Sequence, residues 1–308
     1  MSTDWSRSIG IDVPIVNAPM GGVAGGALAA AVSRAGGLGM IGMGSSATAE
    51  RLAAELPYVA NLAHPFGIGL VDWVTASQPG LLDAALAACP TLLSVSFGER
   101  WDWVPRAHDA GVIAATQVSD VASAERAAEA GVDVLIARGA EGGGHGQPLV
   151  GTLPLLTALL DRVHVPVLAG GGIGSERGVA AVLAAGASAA WVGTAFCACT
   201  ESLLSDKARA AMLAAGETDT VTTRVFDIAL GYPWPAQLPE RVLRNSFSDR
   251  WDGDEAALAV DAGAADELAK AIAADDFSVA PINAGQGVGE LVEVKTAADV
   301  IAKLTMRD

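Results

Sequence analysis

Eight apolar runs of strand length recur along the chain, at residues 14–19, 38–43, 66–71, 92–97, 112–118, 132–137, 165–169 and 190–196. Each is almost continuously apolar rather than alternating, the pattern required of parallel strands covered on both faces. Amphipathic or alanine-rich stretches of helical spacing lie between them, for example at 47–60, 81–88, 121–130 and 177–185. Several turns back to the next strand place a glycine just past the helix end, as at Gly36, Gly111, Gly131 and Gly186. Glycine is favoured there because the chain turns through the left-handed region. A βα unit repeated eight times closes naturally into a barrel. The expected fold class is therefore α/β: a (β/α)8 TIM barrel with an inserted, mostly helical second element near the C-terminus.

The rhythm stops after Phe196. From about Thr200 to Phe277 the chain is more polar and carries the cluster Gly231-Tyr-Pro-Trp-Pro235. The organisation predicted is a barrel over 1–199, a smaller, mostly helical lid or insertion over 200–277, and a return segment over 278–308 that completes the barrel. A helix is expected within the last segment at 297–304.

Composition removes several function classes. The chain has 308 residues, 51% hydrophobic and only 18% charged, which indicates an extensive interior rather than disorder. With 19 basic against 35 acidic residues the net charge is −16, and no basic stripe interleaved with aromatics occurs. Nucleic acid is excluded as a partner on that ground. Two long uncharged runs, 13–33 and 178–200, are broken by prolines, polar residues or glycine, and read as buried barrel segments rather than membrane spans. The N-terminus has no apolar stretch of a secretory signal, and Cys89, Cys197 and Cys199 lack the spacing of a disulfide framework or a zinc site. A cytoplasmic protein is expected, with no metal and no membrane partner; assembly into a homo-oligomer is left open.

In such a barrel the active site lies at the carboxyl ends of the strands. This rule sorts the histidines. His145 ends the stretch Gly139-Ala-Glu-Gly-Gly-Gly-His145 that leaves the sixth strand, whereas His64, His108 and His164 lie elsewhere and read as structural or solvated. The glycines let the backbone approach a planar ligand closely, with His145 at its edge. The seventh strand exits through Gly170–Gly174 and the eighth through Gly193 and Thr194. Amides of Gly171, Gly172, Gly193 and Thr194, beside a helix beginning near Ser175, form the usual barrel phosphate site. Met20, in the exit loop of the first strand, is placed to cover an apolar ring. Glu141, Asp72 and Glu99 are further acidic candidates, and Tyr232 and Trp234 candidates for a lid.

The segments Ala18-Pro-Met20, Ala35-Gly-Gly-Leu-Gly39, Gly139-Ala-Glu-Gly-Gly-Gly-His145, Ala169-Gly-Gly-Gly172 and Gly193-Thr194, continued by Arg244-Asn245 and Ala284-Gly-Gln-Gly287, resemble the nitronate monooxygenase family, formerly called 2-nitropropane dioxygenases. The resemblance implies an FMN-dependent (β/α)8 enzyme. It implies that Gly171, Gly172, Gly193 and Thr194 hold the FMN phosphate, that Ala18, Met20, Gly21 and Gly143 lie around the flavin, and that Gln117 sits near its N1 and O2 region. His145 matches the catalytic histidine. Three positions depart from the family pattern: Arg138 where glutamine is frequent, Gly142 where alanine is usual, and Gly69 where asparagine is frequent.

The activity implied is flavin-dependent oxidation of alkyl nitronates or nitroalkanes by O2, giving a carbonyl compound and nitrite from a small-molecule substrate. His145 would hydrogen-bond the nitronate oxygens or remove the α-proton of a neutral nitroalkane. The FMN-dependent enoyl-acyl-carrier-protein reductases share nearly all these motifs, so an NAD(P)H-dependent reductase of enoyl thioesters is the alternative. A barrel that binds a phosphorylated ligand without turnover is the third reading.

Overall fold

The computed structural model describes residues 1–78 and 80–306. The last two residues of the predicted return segment, Arg307 and Asp308, lie outside the described residues. Parallel strands β1 (Ile15–Asn17), β2 (Gly39–Gly42), β3 (Phe66–Val71), β4 (Leu92–Ser96), β5 (Ile113–Val118), β6 (Val134–Arg138), β7 (Val167–Gly170) and β8 (Ala189–Val192) form one sheet in the order β1-β8-β7-β6-β5-β4-β3-β2. Every residue of β1, β2, β4, β6, β7 and β8 is buried, which is why these runs read as continuously apolar. Alternate residues serve two cores. Val134 and Ile136 of β6 join Val16, Met40, Leu92 and Leu168 inside the barrel, while Leu135 and Ala137 pack with the surrounding helices.

The two ends of the sheet meet at a narrow seam, a single parallel bridge between Val16 and Leu38. Asn17, fully buried, reinforces it: its side-chain amide donates to the Met40 carbonyl at 3.0 Å, and its Oδ1 accepts from the Met40 amide at 2.8 Å. A side chain thus replaces ladder hydrogen bonds where β1 is too short to pair fully. The helix Ala297–Thr305, started by a Thr296–Asp299 capping box, packs against helices Gly26–Arg34 and Glu176–Ala184 in the outer ring.

One local expectation is corrected. The eighth strand ends at Val192, and Phe196 lies in the short helix Thr194–Cys197. Besides its helices the inserted element holds strands Thr220–Thr223 and Glu240–Leu243, which pair antiparallel, and Gly144–His145 adds to the second of them. Both insertion strands have only four residues and carry polar side chains, so they lack the apolar signal of the barrel strands. No helix among the described residues is long and apolar enough to cross a membrane.

Asn17→Ala leaves the Met40 amide and carbonyl without partners at the seam. It is expected to cost about 2–4 kcal/mol, read as a lower urea midpoint with an unchanged denaturant slope.

Candidate active site

A cavity of about 550 Å³ opens at the C-terminal ends of the barrel strands, inside the range of roughly 300–1,000 Å³ typical of small-molecule sites. Ala18, Met20, Gly21, Gln117, Gly143, His145, Gly171, Gly172, Gly193 and Thr194 all border it, so the structure brings together the residues that the family resemblance assigned to flavin and catalysis. The lesser candidates separate. His64, His108 and His164 lie away from the cavity, His108 paired with Asp133 at 3.0 Å. Asp72 is held by Arg100 at 3.0 Å and Glu99 pairs with Arg126, both outside the cavity.

The loop carrying His145 is organised by Arg138, the last residue of β6. Its guanidinium is buried and donates through Nη2 to the carbonyls of Gly142 (2.8 Å), Gly143 (3.2 Å) and Gly144 (2.8 Å), and through Nη1 to that of Gly139 (3.3 Å). Burial and the nearby charge of Arg241 lower its pKa to about 10, which leaves it charged at neutral pH. A Cβ on Gly142 would stand 2.9 Å from Arg138 Nε, and one on Gly146 2.5 Å from its Cζ. Two of the departures from the family pattern are therefore one: the arginine at 138 leaves no room for alanine at 142.

His145 leaves this loop on the short strand that pairs with Glu240–Leu243. Its Nε2 lies 2.9 Å from Asp227 Oδ2, a buried contact with side chains 11% and 7% exposed. The ring stacks on Trp234 at 3.6 Å between centroids and 7° between planes. Trp234 is fixed in turn by donation from Nε1 to Ser45 Oγ at 3.0 Å and by edge contacts with Phe97 and Trp73. Phe97 holds a φ of 73°, a left-handed conformation unusual for so bulky a residue, at the point where β4 delivers its ring to Trp234. Glu240 faces His145 across the strand pair, and a ring nitrogen of His145 and a carboxylate oxygen each of Asp227 and Glu240 all lie within 4.8 Å of one another. Burial, then the Asp227 charge, holds the Glu240 carboxyl well above the ordinary carboxylate range.

Asp227 and Glu240 were not identified from the sequence. The one local signal for Asp227 is a lone acid within the apolar run 225–230; Glu240 is marked only by a strand register that tertiary structure creates. Glu141, an acidic candidate from the sequence, accepts from the Thr152 amide and hydroxyl at 2.9 Å each, capping the helix Thr152–Leu160. Free amides and the dipole at a helix N-terminus stabilise a carboxylate placed there.

The opposite wall has the chemistry of an anion cradle. Thr194 Oγ1 accepts from the Gly285 amide at 2.9 Å, which leaves its hydroxyl proton to donate elsewhere. Thr194 opens a helix whose first amides have no partner within it, and the longer helix Glu176–Ala184 follows β7 closely. Gly171 and Gly172 take φ of 120° and 68°. A Cβ on Gly171 would meet Thr152 Oγ1 at 2.7 Å, so packing against the protein itself requires this glycine. Met20, Ala18 and Gly193 pack together as one wall, with Met20 Sδ 3.4 Å from Cys197 Sγ. Amides and a hydroxyl at one end, with an apolar wall beside them, suit a planar group bearing a phosphate.

The nitronate monooxygenase family profile matches residues 3–307. A nitronate monooxygenase of Paraburkholderia phytofirmans is 30% identical over 350 residues, covering 96% of this chain and 92% of that protein. A (3aS,4S,5R,7aS)-5-hydroxy-7a-methyl-1-oxo-octahydro-1H-indene-4-carboxyl-CoA dehydrogenase of Rhodococcus jostii is 32% identical over 248 residues, 80% of this chain and 67% of that one. Among solved structures, a nitroalkane oxidase from Streptomyces ansochromogenes superposes with a TM-score of 0.82 at 29% identity, covering 98% of this chain and 97% of that one.

The Arg138–Gly142 coupling makes a double-mutant prediction. Gly142→Ala is expected to destabilise the protein by about 1–3 kcal/mol through overpacking. In an Arg138→Gln background the same change costs less, giving an interaction energy of about 0.5–3 kcal/mol in urea unfolding. Strict additivity refutes the coupling.

Proposed function

The chain belongs to the nitronate monooxygenase family and is a flavin-dependent oxidoreductase, and on that footing we propose that it binds FMN and oxidises alkyl nitronates or nitroalkanes with O2 to a carbonyl compound and nitrite. The observation that carries this reading is the His145–Asp227 pair on the cavity wall. Asp227, as carboxylate, accepts the Nε2 proton and leaves Nδ1 as the basic atom of a ring clamped by Trp234. Nδ1 then takes the α-proton of a nitroalkane, a general-base role, and the charge left behind spreads onto the nitro oxygens. For a substrate already ionised, the protonated imidazolium donates to those oxygens instead. Because the pair is buried, its interactions are less screened than in water.

Bound FMN supplies the electron transfer to O2. The amides of Gly171, Gly172 and Gly193 and the Thr194 hydroxyl hold its phosphate in this reading. Ala18, Met20, Gly21 and Gly143 would hold its ring, and Gln117 would offer a polar partner to it. A second reading is supported by the Rhodococcus jostii relative, named for a CoA thioester substrate. That reading is an NAD(P)H-dependent reductase of enoyl thioesters, in which the protonated His145 would deliver a proton to the α carbon of the enolate left by hydride addition.

The purified protein is expected to be yellow and to release FMN rather than FAD on denaturation; a colourless protein that takes up no added FMN excludes the assignment. His145→Ala should retain flavin and lose turnover by on the order of 10²-fold or more, with the larger loss on nitroethane than on ethylnitronate. Asp227→Asn should keep flavin and lose about 10²-fold, since an amide presents a donor to Nε2 and favours the wrong tautomer. Rapid flavin reduction by NADPH followed by reoxidation with a crotonyl thioester selects the second reading.

A further inference from the structure

Glu240 is buried, at 5% exposure, yet borders the cavity, and among the described residues its carboxyl meets no hydrogen-bond partner. Its backbone pairs with His145 in antiparallel register, and directly opposed residues project to the same face with Cβ atoms about 4.5–5.5 Å apart. Asp227 is already committed as the carboxylate that accepts from His145. Two carboxylates this close in a poorly solvated site do not both ionise, so the one that accepts no hydrogen bond keeps its proton. An unpartnered O–H that opens on a cavity is a donor waiting for an acceptor.

We propose that Glu240 is a second catalytic residue of this site, a neutral carboxylic acid that donates a hydrogen bond to the substrate oxygen on which charge develops while His145 removes the neighbouring C–H proton. The inference rests on the proposed function above and deepens it. The C–H bond breaks, its electron pair moves toward the nitro or carbonyl oxygen, the proton goes to His145 Nδ1, and Glu240 keeps its own proton in a hydrogen bond that strengthens as the oxygen becomes anionic. The substrate class follows: a neutral molecule with an acidic C–H next to a nitro or carbonyl oxygen. A preformed anion gains the same donor but faces the Asp227 charge. Other charged groups at the cavity are engaged elsewhere, Arg138 by loop carbonyls, Glu55 by the Gly26 amide and Arg51 by Ser46. On the neighbouring strand position Arg241 turns away to the Ala140 carbonyl.

Infrared difference spectroscopy of the purified holoprotein, comparing wild type with Glu240→Gln in H2O and D2O, tests the proton directly. The deuterium-sensitive carbonyl band of a protonated carboxylic acid is expected at neutral pH and is lost in the variant; a wild type without that band overturns the proposal whatever the enzyme turns over. Kinetics test the role. Glu240→Ala should lower kcat/KM for nitroethane by about 10²-fold, while Glu240→Gln, which keeps an N–H donor, should stay within about tenfold of wild type. The pH sign follows from the raised carboxyl: the donor is present below its ionisation and lost as pH rises past it, so wild type has a limb of falling activity on the high-pH side that Glu240→Gln lacks. An unchanged Glu240→Ala rate, or the same limb in Glu240→Gln, also overturns it. If the band is present and neither nitroethane nor its nitronate reacts, the substrate assignment has failed while the neutral acid stands.

Discussion

Everything in the candidate site hangs from one buried cation. Arg138 leaves the end of β6 and gathers four carbonyls of the loop that follows it. An unpaired buried guanidinium is costly, and carbonyl dipoles offset that cost only if the loop folds back over it. The folded loop delivers Gly144–His145 onto the strand Glu240–Leu243 and so brings His145 to Asp227. The barrel supplies the position of β6, but the arginine sets the path of the chain beyond it.

The electrostatics of the site follow from how its two acids are treated. Asp227 gains a partner in His145, which makes its charged form tolerable despite burial. Glu240 gains none and sits beside that charge, and burial with that charge holds its carboxyl well above the ordinary carboxylate range. Two carboxyls whose unperturbed chemistry differs little thus stand side by side in different states of partnership. The indole of Trp234 completes the arrangement by stacking on the imidazole and excluding water from one face. Opposite, a wall of amides and one hydroxyl carries no carboxylate of its own among Gly171, Gly172, Gly193 and Thr194, which suits it to an anion.

The barrel was legible because each strand is covered on both faces, so its burial is written in consecutive residues. Phe66–Val71 matches the apolar run residue for residue. The ends of other strands were less legible: after Val192 the apolar run continues into a helix, and hydrophobicity alone does not distinguish a buried strand from a buried helical turn. His145 and the residues around it were found because a strand exit in a barrel has a known direction, and glycines mark where backbone must pass close. The role of Glu141 was not legible, since nearness in sequence says nothing about whether a carboxylate turns toward a ring or toward a free helix terminus.

What the sequence alone determined is the order and polarity of the βα units, and with them the end of the barrel at which loops could act. Both follow from local periodicity and from turn chemistry, which depend on residues a few positions apart. Tertiary structure decided the partners: Asp227 and Glu240 come from a segment some eighty residues or more beyond His145, joined to it by a three-stranded sheet too short and polar to announce itself. Which atoms face each other across that sheet depends on register, and register is fixed by the packed whole rather than by either strand.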